Sequence, residues 1–254
     1  MHIRPSRLNG ESRRQQWLRS QPRSGKPPYL IIVCFPPAGG GSGSFAKLRE
    51  VVAADAECVT VELPGRMSRL ADEPVRDLGI LADRISESVV ETIEPRGVPY
   101  FFLGLCLGAV LAYETATRVE AAGANGLRRV VAAGSNAPQE GPPLVDDPVE
   151  FLRRMGSPEE IFEAPQLLEM TLEILRSDLE LFRSYDCTGR RLRTPLSVLY
   201  GRDDTLVELT KIARWEHLAD KVSIEELAGG HFFLDQNYGH LLSQLRGDLL
   251  ETPP

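Results

Sequence analysis

Three residues have the types and the order that nucleophilic catalysis requires. Cys106 stands in Gly104-Leu105-Cys106-Leu107-Gly108, Asp204 closes Gly201-Arg202-Asp203-Asp204, and His231 follows Gly229-Gly230. A thiolate attacks, a histidine within reach takes the thiol proton, and a carboxylate orients the ring and supports the imidazolium. Glycines two residues before and after Cys106 suit a nucleophile on a very sharp turn, where a Cβ would be in the way. The apolar run at residues 100–103 precedes that turn and a helix-forming run follows it. This is the strand–turn–helix context of a G-x-S-x-G elbow, with Cys where Ser usually stands. The helix N-terminus aims N–H groups at the turn, which favours a thiolate and a developing oxyanion. Taken alone, such a short pattern fits a buried packing cysteine about as well. The order nucleophile, acid, histidine, with acid and histidine both following strand-like runs, weighs against that reading. Of the two adjacent carboxylates, Asp204 at the fourth position of its turn is the favoured acid, and Asp203 reads as solvated.

The elements that must hold these residues read as alternating strands and helices. Apolar runs at 29–35, 57–63, 127–133, 196–200 and 222–227 join the elbow strand, while 45–55, 77–93, 208–218 and 238–250 have helical spacing. Ser44 is placed to cap the first of these helices. Such alternation predicts an α/β fold: a mostly parallel sheet, helices on both faces, and the site at the carboxyl ends of the strands. Between the first strand and helix runs Pro36-Pro37-Ala38-Gly39-Gly40-Gly41-Ser42-Gly43-Ser44. No Gly-Lys-Ser/Thr closes this loop and it lacks a dinucleotide fingerprint, so phosphate binding is set aside. Its remaining use is to present a backbone N–H, from Ala38 or Gly39, to an oxyanion that also faces the N–H of Leu107. From Gly141 the rhythm breaks into helical stretches at 148–155, 158–162 and 167–185 with no strand. Residues 141–190 therefore read as an inserted helical lid, and residues 28–140 with 191–254 as the core.

At 254 residues and 42% hydrophobic content, the chain is expected to form one domain with a large core. No run approaches a membrane span. Residues 1–27 carry Arg4, Arg7, Arg13, Arg14, Arg19, Arg23 and Lys26 against Glu11 alone and lack a signal-peptide core, so they read as a basic, solvated tail. An acidic carrier protein is one conceivable contact for those arginines. A net charge of −7 and the lack of a basic motif with interleaved aromatics argue against nucleic acid. Cys34, Cys58, Cys106 and Cys187 form no C-x-x-C, which suggests reduced thiols and a cytoplasmic protein, with Cys34 and Cys58 inert in the core. No metal is expected, since histidines and carboxylates do not cluster at ligand spacing. His217 reads as a surface or core residue, and His240 as a candidate neighbour of the site.

Several motifs together resemble the type II thioesterases that accompany polyketide and nonribosomal peptide synthases. Phe35-Pro36-Pro37-Ala38-Gly39-Gly40 is similar to their oxyanion loop, Leu63-Pro64-Gly65-Arg66 to the motif after their next strand, and Gly230-His231-Phe232-Phe233-Leu234 to their histidine loop. Leu175-Arg176-Ser177-Asp178, with Tyr185, resembles their lid helix. The resemblance implies an α/β-hydrolase fold with a helical lid, and no cofactor of the enzyme's own. Acyl chains would arrive on the phosphopantetheine of an acyl or peptidyl carrier protein. Two motifs depart from that pattern, the elbow at Leu105 and Cys106 and the oxyanion loop at Pro37. The family's elbow usually reads Gly-His-Ser-Met-Gly, and Pro37 stands where its oxyanion loop has histidine. A cysteine exchanges one thioester for another and keeps the acyl carbonyl electrophilic. This resembles the thioesterase-like Dieckmann cyclases, whose Cys-Asp-His triad releases a β-ketoacyl-aminoacyl chain as a tetramic acid or pyridone. Cyclisation is the favoured expectation, with hydrolytic editing of stalled chains as the alternative. Acyl transfer to an external amine and a non-catalytic binding role are more distant.

Overall fold

Strands form where the sequence is apolar on both faces. In the computed structural model, which describes residues 17–20, 27–52, 56–143 and 145–251, β2 (Leu30–Phe35), β3 (Ala56–Val61) and β4 (Tyr100–Leu105) are buried at every residue. Parallel strands between two helical layers must be. β5 (Leu127–Ala133), β6 (Leu196–Gly201) and β7 (Val222–Leu227) continue the parallel set. With the short antiparallel strand β1 (Leu18–Ser20), the order is β1-β3-β2-β4-β5-β6-β7.

β1 revises the reading of the N-terminal segment as a solvated tail. Leu18 pairs with Val61, Trp17 is buried with the Arg69 guanidinium 4.1 Å above its ring, and Arg19 bonds Glu62 at 2.7 Å. Arg19 is thus engaged within the molecule. Arg4, Arg7, Arg13, Arg14, Arg23 and Lys26 lie outside the described residues.

α1 (Ala46–Val51) and α8 (Leu234–Glu251) cover one face of the sheet around Cys34, Cys58, Phe101, Leu103 and Phe233. The other face carries α2 (Leu78–Thr92), whose N-cap Asp77 accepts from the Ile80 N–H at 3.0 Å, and α3 (Leu107–Ala121). Three expected helices differ in detail. Ser44 lies inside a 3-10 turn, Ser42–Phe45, and Phe45 occupies the N-cap of α1 without a side-chain bond. The helix expected at 208–218 divides into α7 (Leu209–Ile212) and a 3-10 turn, Ala213–His217. α8 begins four residues before the expected start, so the histidine loop runs directly into it.

The insertion forms α4 (Pro148–Met155), α5 (Glu159–Glu163) and α6 (Pro165–Arg183). Phe151, Leu152, Leu175, Leu179 and Phe182 from these helices join the same core cluster as α2 and α3. The C-terminal end of the insertion is held by Glu114 of α3, fully buried, which accepts from the Tyr185 hydroxyl, from Thr188 Oγ1 at 3.0 Å and from Arg118 Nη1 at 2.6 Å. Burial, then the neighbouring carboxylate, pushes the Tyr185 phenol far above the ordinary tyrosine range.

Candidate active site

Cys106 sits between β4 and α3 with φ 53° and ψ −119°, and Met67 is the only other described non-glycine residue with a positive φ. The flanking glycines are required by close approach. A Cβ on Gly104 would lie 2.3 Å from the Gly108 carbonyl oxygen, and one on Gly108 2.2 Å from that of Phe35. Both contacts are to backbone, which cannot yield.

The loops after β6 and β7 are pressed together in the same way. A Cβ on Gly201 would lie 2.2 Å from the Gly230 oxygen, and the Asp203 N–H bonds the Gly229 carbonyl at 3.0 Å. This brings Asp204 Oδ2 to 2.8 Å from His231 Nδ1, while Oδ1 accepts from the Leu206 N–H at 2.9 Å. Both side chains are buried, and Asp203 is exposed. The His231 ring lines the same cavity as Cys106. Burial alone would lower its pKa, but the hydrogen bonds to Asp204 and then to Cys106 outweigh that and push it up to about 10. The three residues proposed from sequence therefore form one continuous chain of contacts, with the Leu107 N–H at the start of α3 beside them.

The two proposed oxyanion donors on the glycine-rich loop separate. The N–H of Gly39 is committed to Asp178 Oδ2 at 2.8 Å, which removes it as a free donor. Ala38 remains, lining the same cavity as Cys106, Leu107 and His231. That cavity measures only ≈30 Å³ and is walled mainly by Phe151, Leu179, Phe182, Leu206 and Val207. A neighbouring cavity of ≈560 Å³ opens between the glycine-rich loop and the insertion, lined by Pro37, Met67, Met155, Leu167 and Phe232 among others. Pro37 thus faces this second cavity. Leu105 is buried in the cluster under α8 and is not among the residues lining the Cys106 cavity. His240 bonds Glu225 at 2.8 Å on the surface and is no neighbour of the site, and His217 is exposed. Cys34 and Cys58 are buried with sulfurs 3.4 Å apart. Burial holds the Cys34 thiol well above its ordinary value, and the hydrogen bond from Cys34 lowers that of Cys58.

Sequence reasoning did not assign Asp178 or Arg66 a role. Arg66 donates to Asp178 from both terminal nitrogens, at 2.8 and 2.5 Å, and to the Gly40 carbonyl at 2.9 Å. A usable signal existed: Asp178 interrupts the apolar face Leu175, Leu179, Phe182 of a helix, and buried carboxylates require partners.

The model of the thioesterase domain family matches residues 30–249. The chain belongs to the thioesterase domain family. Its sheet, helices and elbow are those of an α/β-hydrolase-like thioesterase fold. The chain is 36% identical over 231 residues to a probable cadicidin biosynthesis thioesterase of Streptomyces griseus, covering 87% of this chain and 63% of that protein. It thus spans less than two thirds of that relative. Thioesterase PikA5 of Streptomyces venezuelae is 29% identical, with 87% and 81% covered. Among solved structures, RedJ, the thioesterase from the prodiginine pathway of Streptomyces coelicolor, superposes with a TM-score of 0.78 at 27% identity, covering 90% and 95%. The type II thioesterase BorB from the borrelidin cluster gives 0.76 at 26%, covering 92% and 98%. Among the described residues of this thioesterase-family chain, no helix is long and apolar enough to cross a membrane.

Proposed function

We propose that this protein releases acyl chains from a polyketide or nonribosomal peptide carrier protein through a thioester on Cys106, and that the chain leaves by Dieckmann cyclisation. The observation that carries this reading is the contact chain Cys106–His231–Asp204 at a mostly apolar, nearly filled pocket. His231 takes the Cys106 proton, and Sγ adds to the thioester carbonyl delivered on phosphopantetheine. The oxyanion is received by the N–H groups of Ala38 and Leu107. The carrier thiol departs with the proton from His231, leaving acyl-Cys106. His231 then removes a proton from the carbon between the chain's two carbonyls. The carbanion attacks the Cys106 thioester, the ring forms, and the thiolate leaves and is reprotonated by His231. Holding the nucleophilic carbon beside the carbonyl contributes up to about 7–11 kcal/mol through effective molarity.

A pocket of ≈30 Å³ has room for about two waters and none for such a chain, so residues 141–190 act as a lid that rises to admit it. Hydrolytic editing is the second reading, favoured by the likeness to BorB, a type II thioesterase. The deciding experiment supplies a carrier-bound β-ketoacyl-aminoacyl thioester and weighs the product. A ring one water lighter than the free acid is expected. Free acid as the main product from a chain able to cyclise would overturn cyclisation in favour of editing.

A further inference from the structure

Two motifs remain without a task in that mechanism: the one ending at Arg66 and the one ending at Asp178. Both charged side chains are buried, at 5% and 2% exposure, and they bond each other twice. A buried ion pair of this kind contributes little to stability over an apolar pair of the same shape. What it holds is therefore the informative part.

The pair holds the oxyanion loop. Pro37 to Gly40 is a turn, closed by the Gly40 N–H on the Pro37 carbonyl at 3.0 Å, with Gly39 at its third position and φ +73°. A positive φ there is what glycine permits, and turns of this kind differ from their commoner relatives by the facing of their central peptide. Here the central peptide joins Ala38 to Gly39, and its N–H is fixed by Asp178 at 2.8 Å. On the next residue, the Gly40 carbonyl is fixed by Arg66 at 2.9 Å. The held atoms thus follow directly on Ala38, which lines the cavity at Cys106 and carries the donor assigned in that mechanism. Asp178 belongs to α6, and the same helix touches the loop again: a Cβ on Gly39 would sit 3.5 Å from that of Leu175.

We infer that Asp178 is a positioning residue, which sets the Ala38 oxyanion donor only when the lid helix α6 is down. This deepens the proposed function and rests on its reading of thioester attack at a covered pocket. When α6 lifts, the Gly39 N–H loses its acceptor, and the turn is free to swing the donor away. A chain enters past a raised lid to an unset pocket. Closure then sets the Ala38 donor and excludes bulk water in the same movement, so the thioester is activated only where water cannot compete.

The test compares wild type with Asp178→Ala, Asp178→Asn and the double variant Arg66→Met with Asp178→Leu. Two reactions of Cys106 are timed by intact mass: acylation by hexanoyl-N-acetylcysteamine, which passes through an oxyanion, and alkylation by iodoacetamide, which does not. Acylation is expected to fall by about 10²-fold or more in Asp178→Ala and in the double variant, with alkylation unchanged or faster. Asp178→Asn, which keeps an oxygen for Gly39, should fall less. The double variant removes both charges, so its resistance to urea should match wild type while its acylation stays slow. A double variant acylating at the wild-type rate would overturn the inference, as would equal loss of both reactions in a double variant that remains folded. The underlying reading fails separately. If thioester turnover continues in wild type with no acyl group on Cys106, the nucleophile is misassigned. The role of Asp178 is then judged by turnover alone, and unchanged turnover in the double variant refutes it.

Discussion

On the acid–histidine side of the pocket, Gly201 and Gly230 lie so close that a Cβ on the first would meet the carbonyl of the second at 2.2 Å. On the oxyanion side, Gly39 finds its partner Asp178 across 139 residues of sequence, on a helix of the insertion. The first arrangement is backbone against backbone, between adjacent strands of one sheet, and has nowhere to go. The second consists of buried charges on separate elements, which one displacement of α6 would part. General base and the Ala38 donor are thus held by different means: the base is permanent, and that donor is conditional on what covers it.

The sharpest way to break the comparison is at the permanent side. Asp204→Asn should lower turnover by roughly 10³–10⁴-fold through loss of the correct imidazole tautomer, with the fold intact. It should also move the His231 titration, followed by NMR, well below the wild-type value of about 10. The sign for stability follows. His231 has its pKa raised from 6.5 in the unfolded chain, so its contribution is complete below about pH 6.5 and is lost as pH rises through about 10. In Asp204→Asn that loss should come at lower pH, read as the urea midpoint against pH. An unmoved titration would mean that Asp204 does not hold the ring.

Gly201→Ala should cost about 10²-fold in turnover, because the acid and histidine loops must separate to admit the methyl group. Gly39→Ala meets only Leu175 at 3.5 Å and the strain of its positive φ, about 1–2 kcal/mol, and should leave clearly more activity. Equal losses in the two variants would erase the distinction between fixed and conditional sides.

Glu114→Ala addresses the anchor of the insertion. It strips the partner from Tyr185, Thr188 and Arg118 at a buried position, and should destabilise by about 3–5 kcal/mol in urea. Hydrogen exchange should quicken at residues 183–190 before it does in β4. The smallest effect is expected from Arg153→Ala, whose guanidinium lies 4.1 Å over Phe162 and pairs with exposed Glu159. A change of about 1 kcal/mol or less, with faster exchange confined to α5, would mark the front of the insertion as the looser end. A global loss there would contradict that ranking.

What was legible in the sequence follows the same division. β5 and α4 fall where the apolar run and spacing place them, because a largely buried parallel strand and an amphipathic helix leave a plain signature, and the edge strand β7 also falls at its expected bounds. Cys106, Asp204 and His231 stand close together because each follows the end of a parallel strand, where the fold gathers its loops. The engagement of Gly39 was not legible, since nothing local in a run of glycines tells which N–H a distant carboxylate will take. The place of Leu105 was not legible from the elbow motif either. Its neighbours in sequence line the elbow, yet strand alternation turns its side chain to the α8 face, where it is packed in the core.

The three residues of β1 have a consequence beyond the pocket. Without them, the backbone of Val59–Val61 would be the bare margin of a sheet whose neighbouring side chains are all buried, a template for pairing with any other extended chain. β1 occupies that margin with a strand of three residues, too short to recruit another, whose Arg19 is tied back to Glu62. Light scattering should find a chain lacking residues 17–20 prone to associate edge to edge. The segment that composition alone marks as a tail is the selvedge of the sheet beside β3.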